Sequence, residues 1–268
     1  MRILNTKNKK VSVIIANYNK ASFLDECIKS IEDQNYNNIQ TIVVDNKSTD
    51  NSLEVLEKYK KISLIRNRMH SNVGSYDQLN AYKLALSKAN GEIIFFLDSD
   101  DFFKKNKIIN LLKIFNDNAV QVCSDLPIFY FNSKNQLKKK FFRKNFLLSP
   151  WPKFSPHSCI CVRREYLAKI FKIISIKKFP EVWMDFRVLI YAYLEFGASN
   201  ILEKHLTFYR QYEFQSTSSY KLLSKKWLKR RIQSHEFYNY VCKKLDKNKP
   251  DNRDFFITSL LYKVLKTI

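Results

Sequence analysis

Glycine is almost missing from this 268-residue chain: there are three, Gly74, Gly91 and Gly197. They lie too far apart to build a GxGxxG turn or a GxxxxGK[ST] loop, so a glycine-rich backbone cradle for a nucleotide diphosphate is excluded. A metal ion or basic side chains would have to hold such a ligand instead. Long apolar runs are missing too. No stretch approaches the roughly 18–20 residues needed to cross a bilayer, and the start, MRILNTKNKK, lacks the apolar centre of a secretion signal. Both absences predict a chain that stays in the cytosol. Acidic residues are scarce beside basic ones, 25 against 47, for a net charge of +22. Such an excess attracts nucleic acid, anionic lipid headgroups or phosphorylated substrates without choosing among them. The five cysteines are odd in number and scattered, as befits buried thiols rather than a disulfide framework. His157-x-Cys159-x-Cys161 resembles a ligand cluster, but alternate strand residues share a face anyway and no second pair completes four ligands.

What is present is a good core. The chain is 45% hydrophobic and 15% aromatic, enough for one large domain or one domain with an appendage. From 11 to about 123, short apolar runs alternate with amphipathic segments. VSVII (11–15), IQTIVV (39–44), ISLI (62–65) and EIIFFL (92–97) read as strands. Helices are expected from the Ser22-x-x-Asp25 capping box onward, over 51–60, and over about 76–89. This alternation predicts βαβ units: an α/β fold with a mainly parallel sheet covered on both faces, whose ligands lie beyond the carboxyl ends of the strands. After 123 a hairpin is expected from LPIFYF (126–131) and KKKFFRKNF (138–146). Then come helices at 163–172 and 183–196, short strands near 199–203 and 206–210, and one or two helices in the last fifty residues.

The most specific local feature is FFLDSDD. Asp98-x-Asp100, with Asp101 beside it, places two carboxylates one residue apart at the exposed end of a buried strand. They offer hard oxygen ligands to Mg²⁺ or Mn²⁺, with positions left for phosphate oxygens. Asp45 follows TIVV in the same way and would share that rim. Acids at strand ends also serve as ordinary turn and cap residues.

Residues 11–101 resemble the nucleotide-sugar-binding half of an inverting glycosyltransferase of family 2, with a GT-A fold. The likeness is carried by VSVIIANYN, by IQTIVVDNKSTDNS (39–52) and by NVGSYDQLNAYKLALSKANGEIIFFLDSDD (72–101), in that order. It implies a GT-A domain over 1–215, made of a nucleotide-sugar half (11–101) and an acceptor half (102–215), with a basic helical extension at 216–268. It also implies roles. Asp45 would accept the imino proton of the base and Tyr18 would wall the base pocket. Asp98 would face the ribose or a metal-bound water, and Asp100 would bind Mg²⁺ or Mn²⁺ against the diphosphate. Ala16, Asn72, Gly74, Gln78, Ser99 and Arg210 complete the implied donor site. Ala16 stands where the pattern has proline, and Asn46-Lys47 where it has Asp-Gly.

By the same resemblance, FPEVWMDFRVLIYAYLEFG (179–197) carries the base that deprotonates the acceptor hydroxyl: Asp185, with Glu181 as the runner-up. An acid in a helix's first turn is also favoured by the helix dipole alone. In LTFYRQYEFQSTSSY (206–220), Tyr209 and Arg210 match the pattern, while Tyr212 stands where a metal-binding histidine is frequent. His157 and His205 are the histidines that could substitute. Arg210 could pair with the diphosphate or form an ordinary salt bridge. The tail from Lys221 to Leu245 interleaves Trp227, Leu228, Ile232, Phe237, Tyr238 and Val241 with Lys225, Lys226, Lys229, Arg230 and Arg231. It suits either an anionic membrane surface or packing on the domain.

The implied reaction moves a sugar from a nucleotide-diphosphate donor to a glycan or lipid-linked acceptor with inversion, in bacterial surface polysaccharide assembly. The setting would be the cytoplasm or, peripherally, the inner face of the membrane, with no nucleic acid partner. Two alternatives stay open: a non-catalytic basic module for membrane or nucleic acid on the same fold, and a nucleotidyltransferase, which normally needs the glycine-rich loop absent here.

Overall fold

A computed structural model of the chain describes residues 9–71, 73–131, 136–138, 149–152, 154–174, 177–197, 200–212, 220–249 and 253–267. The strands are β1 (Val11–Asn17), β2 (Ile39–Asp45), β3 (Ile62–Arg66), β4 (Ile93–Asp98), β5 (Phe102–Phe103), β6 (Val122–Phe131), β7 (Gln136–Lys138), β8 (Ile160–Arg163) and β9 (Asn200–Gln211). The helices are α1 (Ala21–Glu32), α2 (Ser52–Glu57), α3 (Gly74–Lys88), α4 (Lys107–Ile114), α5 (Arg164–Ile173), α6 (Met184–Phe196), α7 (Lys225–Lys244) and α8 (Arg253–Thr267). Among the described residues the strands form one sheet in the order β3-β2-β1-β4-β8-β6-β9-β5, with β7 on β6.

The first half is built from parallel pairs, β2 on β3, β1 on β2 and β1 on β4. Sequence order runs outward from β1 through β2 to β3 and then resumes on the other side of β1 with β4. The chain therefore leaves β1 toward β2 and leaves β4 toward the opposite side of the sheet, which opens a crevice at the carboxyl ends of β1 and β4. Ala16 pairs with Asp98 and Asn17 with Asp45 in register, so three of the implied site residues meet at that rim.

Alternate side chains of the central strands feed two apolar layers, the reason β1 and β4 read as unbroken hydrophobic runs. Ile14, Ile94 and Phe96 face α3, α5, α6 and α7. Val13, Ile15, Phe95 and Leu97 face α1, α2 and α4.

Several local expectations change. The Ser22–Asp25 capping box does not form: the cap of α1 is Lys20, without a side-chain cap bond. The Ala21 amide donates instead to Asp50 Oδ2 at 2.9 Å and the Lys20 amide to Ser52 Oγ at 3.2 Å. Asp25 receives the Tyr59 hydroxyl. A partner brought from β2–α2 satisfies the free amides better than the local acid does. The two strands expected at 199–210 are one, β9, which follows β6 in parallel through register shifts around Leu126. Pro127 lies in β6 and has no amide to give to a regular ladder. The hairpin is present as β6–β7, and its expected continuation over 139–146 lies outside the described residues. His157–Cys159 is a 3-10 turn, not alternating strand, and no group of three or more metal-ligating side chains occurs among the described residues.

The segment expected as a basic extension is joined to the domain through α7. Phe237, Tyr238, Val241 and Cys242 lie in the same apolar layer as α3 and α6. Arg231 pairs with Asp254 of α8, and His235 Nε2 lies 2.9 Å from the same carboxylate. Of the two readings of 221–245, α7 follows the packed one. No described helix is long and apolar enough to cross a membrane.

Gly91, just before β4, lies tightly against the start of β1. A Cβ there would lie 2.3 Å from the Ser12 backbone nitrogen and 2.4 Å from the Val11 carbonyl carbon, and its amide already donates to Ser12 Oγ at 2.9 Å. Gly91→Ala should therefore push apart the two central strands and lose about 2–3 kcal/mol in denaturant unfolding.

Candidate active site

The crevice between β1 and β4 is a cavity whose walls include Ala16, Tyr18, Gly74, Gln78, Asp98, Ser99, Asp100, Asp185 and Arg210. Nine of the implied site residues thus meet in one place. Asp45 does not line it: it is buried behind Asn17, whose Nδ2 donates to Asp45 Oδ1 at 2.8 Å. Ser48 donates its hydroxyl to the same oxygen at 2.6 Å and its amide to Oδ2 at 3.0 Å. Asn46 reaches the cavity in its stead. The turn needs Lys47 at φ 62°, a conformation that favours glycine, and the Ser48 bonds to Asp45 hold it. Asn72 lies outside the described residues.

The acid corner is built by three elements. Asp98 ends β4, where Gln78 of α3 donates to its Oδ1 at 3.1 Å. Gln78 also accepts the first amide of α6, from Met184, at 3.4 Å. One side chain thus ties the strand end to the helix that carries Asp185 in its first turn. The loop before α6 is fixed by Arg187, which is fully buried and donates to the carbonyls of Val182 at 2.9 Å, Lys178 at 3.0 Å and Phe179 at 2.6 Å. Five donors on a planar fork suit this task, and burial lowers its pKa to about 10.

These carboxyl groups repel one another. Burial, then the charges of Asp100 and Asp185, push the Asp98 pKa up to about 8. Burial raises that of Asp185 as well, opposed by Arg230 of α7, another cavity residue. A group of acids held above their normal range is short of a cation. The donor set suits a hard divalent ion with two carboxylates and outer positions left for phosphate, not an all-protein cage. A cation already stands there: the Lys20 ammonium lies 3.3 Å from Asp100 Oδ2. Asp98 and Asp100 therefore fit Mg²⁺ or Mn²⁺. Asp101 turns inward, accepting from Ser158 and from the Arg210 amide at 2.8 Å.

Other expectations resolve individually. The Arg210 side chain is engaged within the protein, with Glu26 and, at 2.6 Å, the Asp100 carbonyl. It braces the Asp100 turn in the salt-bridged manner. Tyr212 donates to Asp100 Oδ2 where a histidine was the alternative. His205 lies away from the cavity walls, with Nδ1 2.9 Å from the Pro127 carbonyl. Glu181 is taken by Lys229 at 2.9 Å and Tyr220 at 2.9 Å, which leaves Asp185 as the acid on the wall. His157 is on the wall, stacked 4.7 Å from Phe96, with neither ring nitrogen bonded. Sequence reasoning missed Lys20, His70, Asp77, Trp183 and Arg230 as cavity residues. His70 stacks on Tyr18 at 4.1 Å and lies 3.0 Å from Asp77. Lys20, directly after the Tyr18-Asn19 turn, and Asp77, beside Gln78 in α3, carried a positional signal; His70 and Trp183 come from loops and Arg230 from α7.

A mixed sheet, parallel through β3-β2-β1-β4, with a charged cavity at its switch point defines an α/β fold whose ligand crevice lies at the carboxyl ends of its strands. Glycosyl transferase family 2 is the family model that matches, over residues 12–171, and the chain belongs to that family. Alr2836 of Nostoc sp. (strain PCC 7120), an uncharacterized glycosyltransferase, is 30% identical over 213 residues, 75% of this chain and 64% of that protein. The chain thus spans less than two thirds of that relative. The poly(ribitol-phosphate) beta-N-acetylglucosaminyltransferase TarS of Staphylococcus aureus is 33% identical over 102 residues, 37% of this chain and 18% of TarS. Among solved structures, TarS 1–349 with UDP-GlcNAc superposes with a TM-score of 0.60 at 20% identity, covering 87% of this chain and 73% of that one. A mannosyltransferase from Pyrobaculum calidifontis, in complex with GDP-Man and Mn²⁺, gives 0.57 at 14% identity, covering 94% and 69%. These superpositions show the GT-A fold.

Burial holds the His157 pKa down at about 3. The unfolded imidazole takes up a proton below about pH 6.5 while the folded one stays neutral, so stability falls as the pH drops below 6.5. Between pH 7 and pH 5 this one group should remove about 2 kcal/mol. His157→Leu should shrink the acid-side loss by that amount in unfolding titrations at the two pH values.

Proposed function

We propose that this chain transfers a glycosyl unit, with inversion, from a nucleotide-diphosphate sugar to a glycan or lipid-linked acceptor during bacterial surface polysaccharide assembly. The observation that carries the reading is the meeting of Asp98 and Asp100 with Asp185 in one cavity at the sheet's switch point. Membership of family 2 supports the reaction class. TarS, solved with UDP and with UDP-GlcNAc, and a Bacillus subtilis relative named for teichuronic acid biosynthesis support the donor type and the setting.

Tyr18, half exposed and backed by His70, offers an aromatic face to the base. Asp45 sits one layer behind, where its bonds from Asn17 and Ser48 hold the turn that presents Asn46 to the cavity. Asp98 and Asp100 would hold Mg²⁺ or Mn²⁺, which when bound neutralises charge on the departing diphosphate. Asp185 takes the proton from the acceptor hydroxyl. The hydroxyl oxygen bonds to the anomeric carbon from the face opposite the donor, and the bond to the phosphate oxygen breaks with its electron pair leaving on the nucleoside diphosphate. A carboxylate whose burial makes it more basic than usual is suited to that proton transfer.

Donor consumption is tested with a panel of nucleotide sugars, with Mn²⁺ and with Mg²⁺, by release of nucleoside diphosphate. At least one sugar nucleotide should turn over. Asp185→Asn should cut that turnover about 10²–10⁴-fold while leaving nucleotide affinity near wild type. Undiminished turnover in Asp185→Asn would move the base elsewhere, and a silent panel would defeat the donor reading.

The membrane contact moves from α7 to α8. The apolar side of α7 is buried, whereas α8 exposes Phe256, Ile257, Leu260, Leu261 and Val264 on one arc. Exposed Lys243, Lys244, Lys247 and Lys249 precede that helix. Apolar residues flanked by lysines suit anionic headgroups. The protein should co-sediment with vesicles containing phosphatidylglycerol and much less with pure phosphatidylcholine. Phe256→Asp with Leu260→Asp should abolish that difference; a variant that still binds would refute the α8 contact.

A further inference from the structure

Asp100 already has company at its outer oxygen. Oδ2 accepts the Tyr212 hydroxyl, and the Lys20 ammonium lies 3.3 Å from the same atom. Lys20 also bonds the Tyr212 hydroxyl and lies 4.7 Å from the centre of that ring. Phe23, from the first turn of α1, packs on Tyr212 at 5.3 Å. Lys20 and Asp100 are each 21% exposed, and both line the cavity that holds Asp98 and Asp185. This is a single positive charge, on a flexible four-carbon stem, placed against one carboxylate of a crowded acidic group and open to the space a diphosphate would fill.

We infer that Lys20 is a tethered cation of the donor site, which neutralises Asp100 until a divalent ion takes that carboxylate and then turns its ammonium to the diphosphate oxygens. The inference deepens the donor reading and rests on it for the diphosphate half alone. Its physical content is competition. A divalent ion on Asp100 Oδ2 and an ammonium 3.3 Å from the same oxygen would be like charges in near contact, so one must leave. Lys20 has a short path to leave by, because its three donors can rotate from a carboxylate to phosphate oxygens without a change in the backbone. Tyr212 keeps the ammonium at the corner in the meantime, through its hydroxyl and through its ring face. Lys20 is thus a positioning residue with two effects of opposite sign: it weakens the binding of the bare ion and strengthens the binding of the nucleoside diphosphate once the ion is in place.

The test is a titration of the full chain with Mn²⁺ alone, followed by the spectrum of free Mn²⁺, and with UDP or GDP at saturating Mn²⁺, followed by calorimetry. Lys20→Met should bind Mn²⁺ about tenfold more tightly than wild type and the preferred diphosphate about tenfold more weakly. Lys20→Arg, which keeps the charge, should stay near wild type for both. Tyr212→Phe, which keeps the ring and loses the hydroxyl, should shift Mn²⁺ affinity in the same direction as Lys20→Met but less. Mn²⁺ affinity that is unchanged or weaker in Lys20→Met overturns the inference. If neither diphosphate binds wild type with Mn²⁺ present, the donor reading fails, while the Mn²⁺ titration still decides the role of Lys20.

Discussion

Like-charge crowding at the carboxyl end of β4 is the constraint around which the rest of the molecule is arranged. Asp98, Asp100 and Asp185 lie around one cavity, and the repulsion among them, on top of burial, holds the Asp98 pKa near 8. Such a group does not persist in a fold by default, since each carboxylate would relax toward water if its backbone allowed. Here the backbone does not allow it. The Asp98 amide is bonded to Ser158 Oγ at 3.0 Å, and Asp101 beside it is turned inward onto the same hydroxyl. Arg210 holds the Asp100 carbonyl from below, and Gln78 joins β4 to the start of α6. Acids held rigidly in a strained arrangement provide preorganised charge for a cation and, through it, for phosphate.

Beneath that corner lies a second polar group that has a structural task only. Lys107 is fully buried and donates to Asp125 at 2.7 Å, to the Ser158 carbonyl at 2.7 Å and to Thr207 at 2.5 Å. It links α4, β6, β9 and the 3-10 turn that carries Ser158. A buried ion pair of this kind adds little net stability against an apolar replacement, yet it fixes geometry because neither partner has another place to bond. The second half of the chain is thereby locked in register under the acids of the first half.

The C-terminal helices show how a charge count can mislead. Of the basic residues in α7, Lys229 pairs with Glu181, Arg231 with Asp254, and Arg230 stands on the cavity wall near Asp185. The helix completes the cavity wall near Asp185 rather than standing apart from it. Its apolar residues close the layer over α6, and the exposed apolar surface is displaced to α8.

The first half of the chain was legible because its information is local and repetitive. Strands buried on both faces must be continuous apolar runs, so VSVII and EIIFFL announce β1 and β4, and a βαβ alternation fixes which end of the sheet bears the acids. Asp98 and Asp100 stood out at a strand end, Asp185 was picked through the family resemblance, and the three converge. Sequence could not show that Asp45 is set behind Asn17, that Arg210 is bound to Glu26, or that Lys20 reaches Asp100. Nor could it show that α1 is capped from residues 50 and 52. Each of these depends on which side chain arrives first at a shared atom, and the partners lie 28 to 184 positions apart in the chain. Periodicity determines which face of an element is buried; only packing decides which polar groups on it are left facing a ligand.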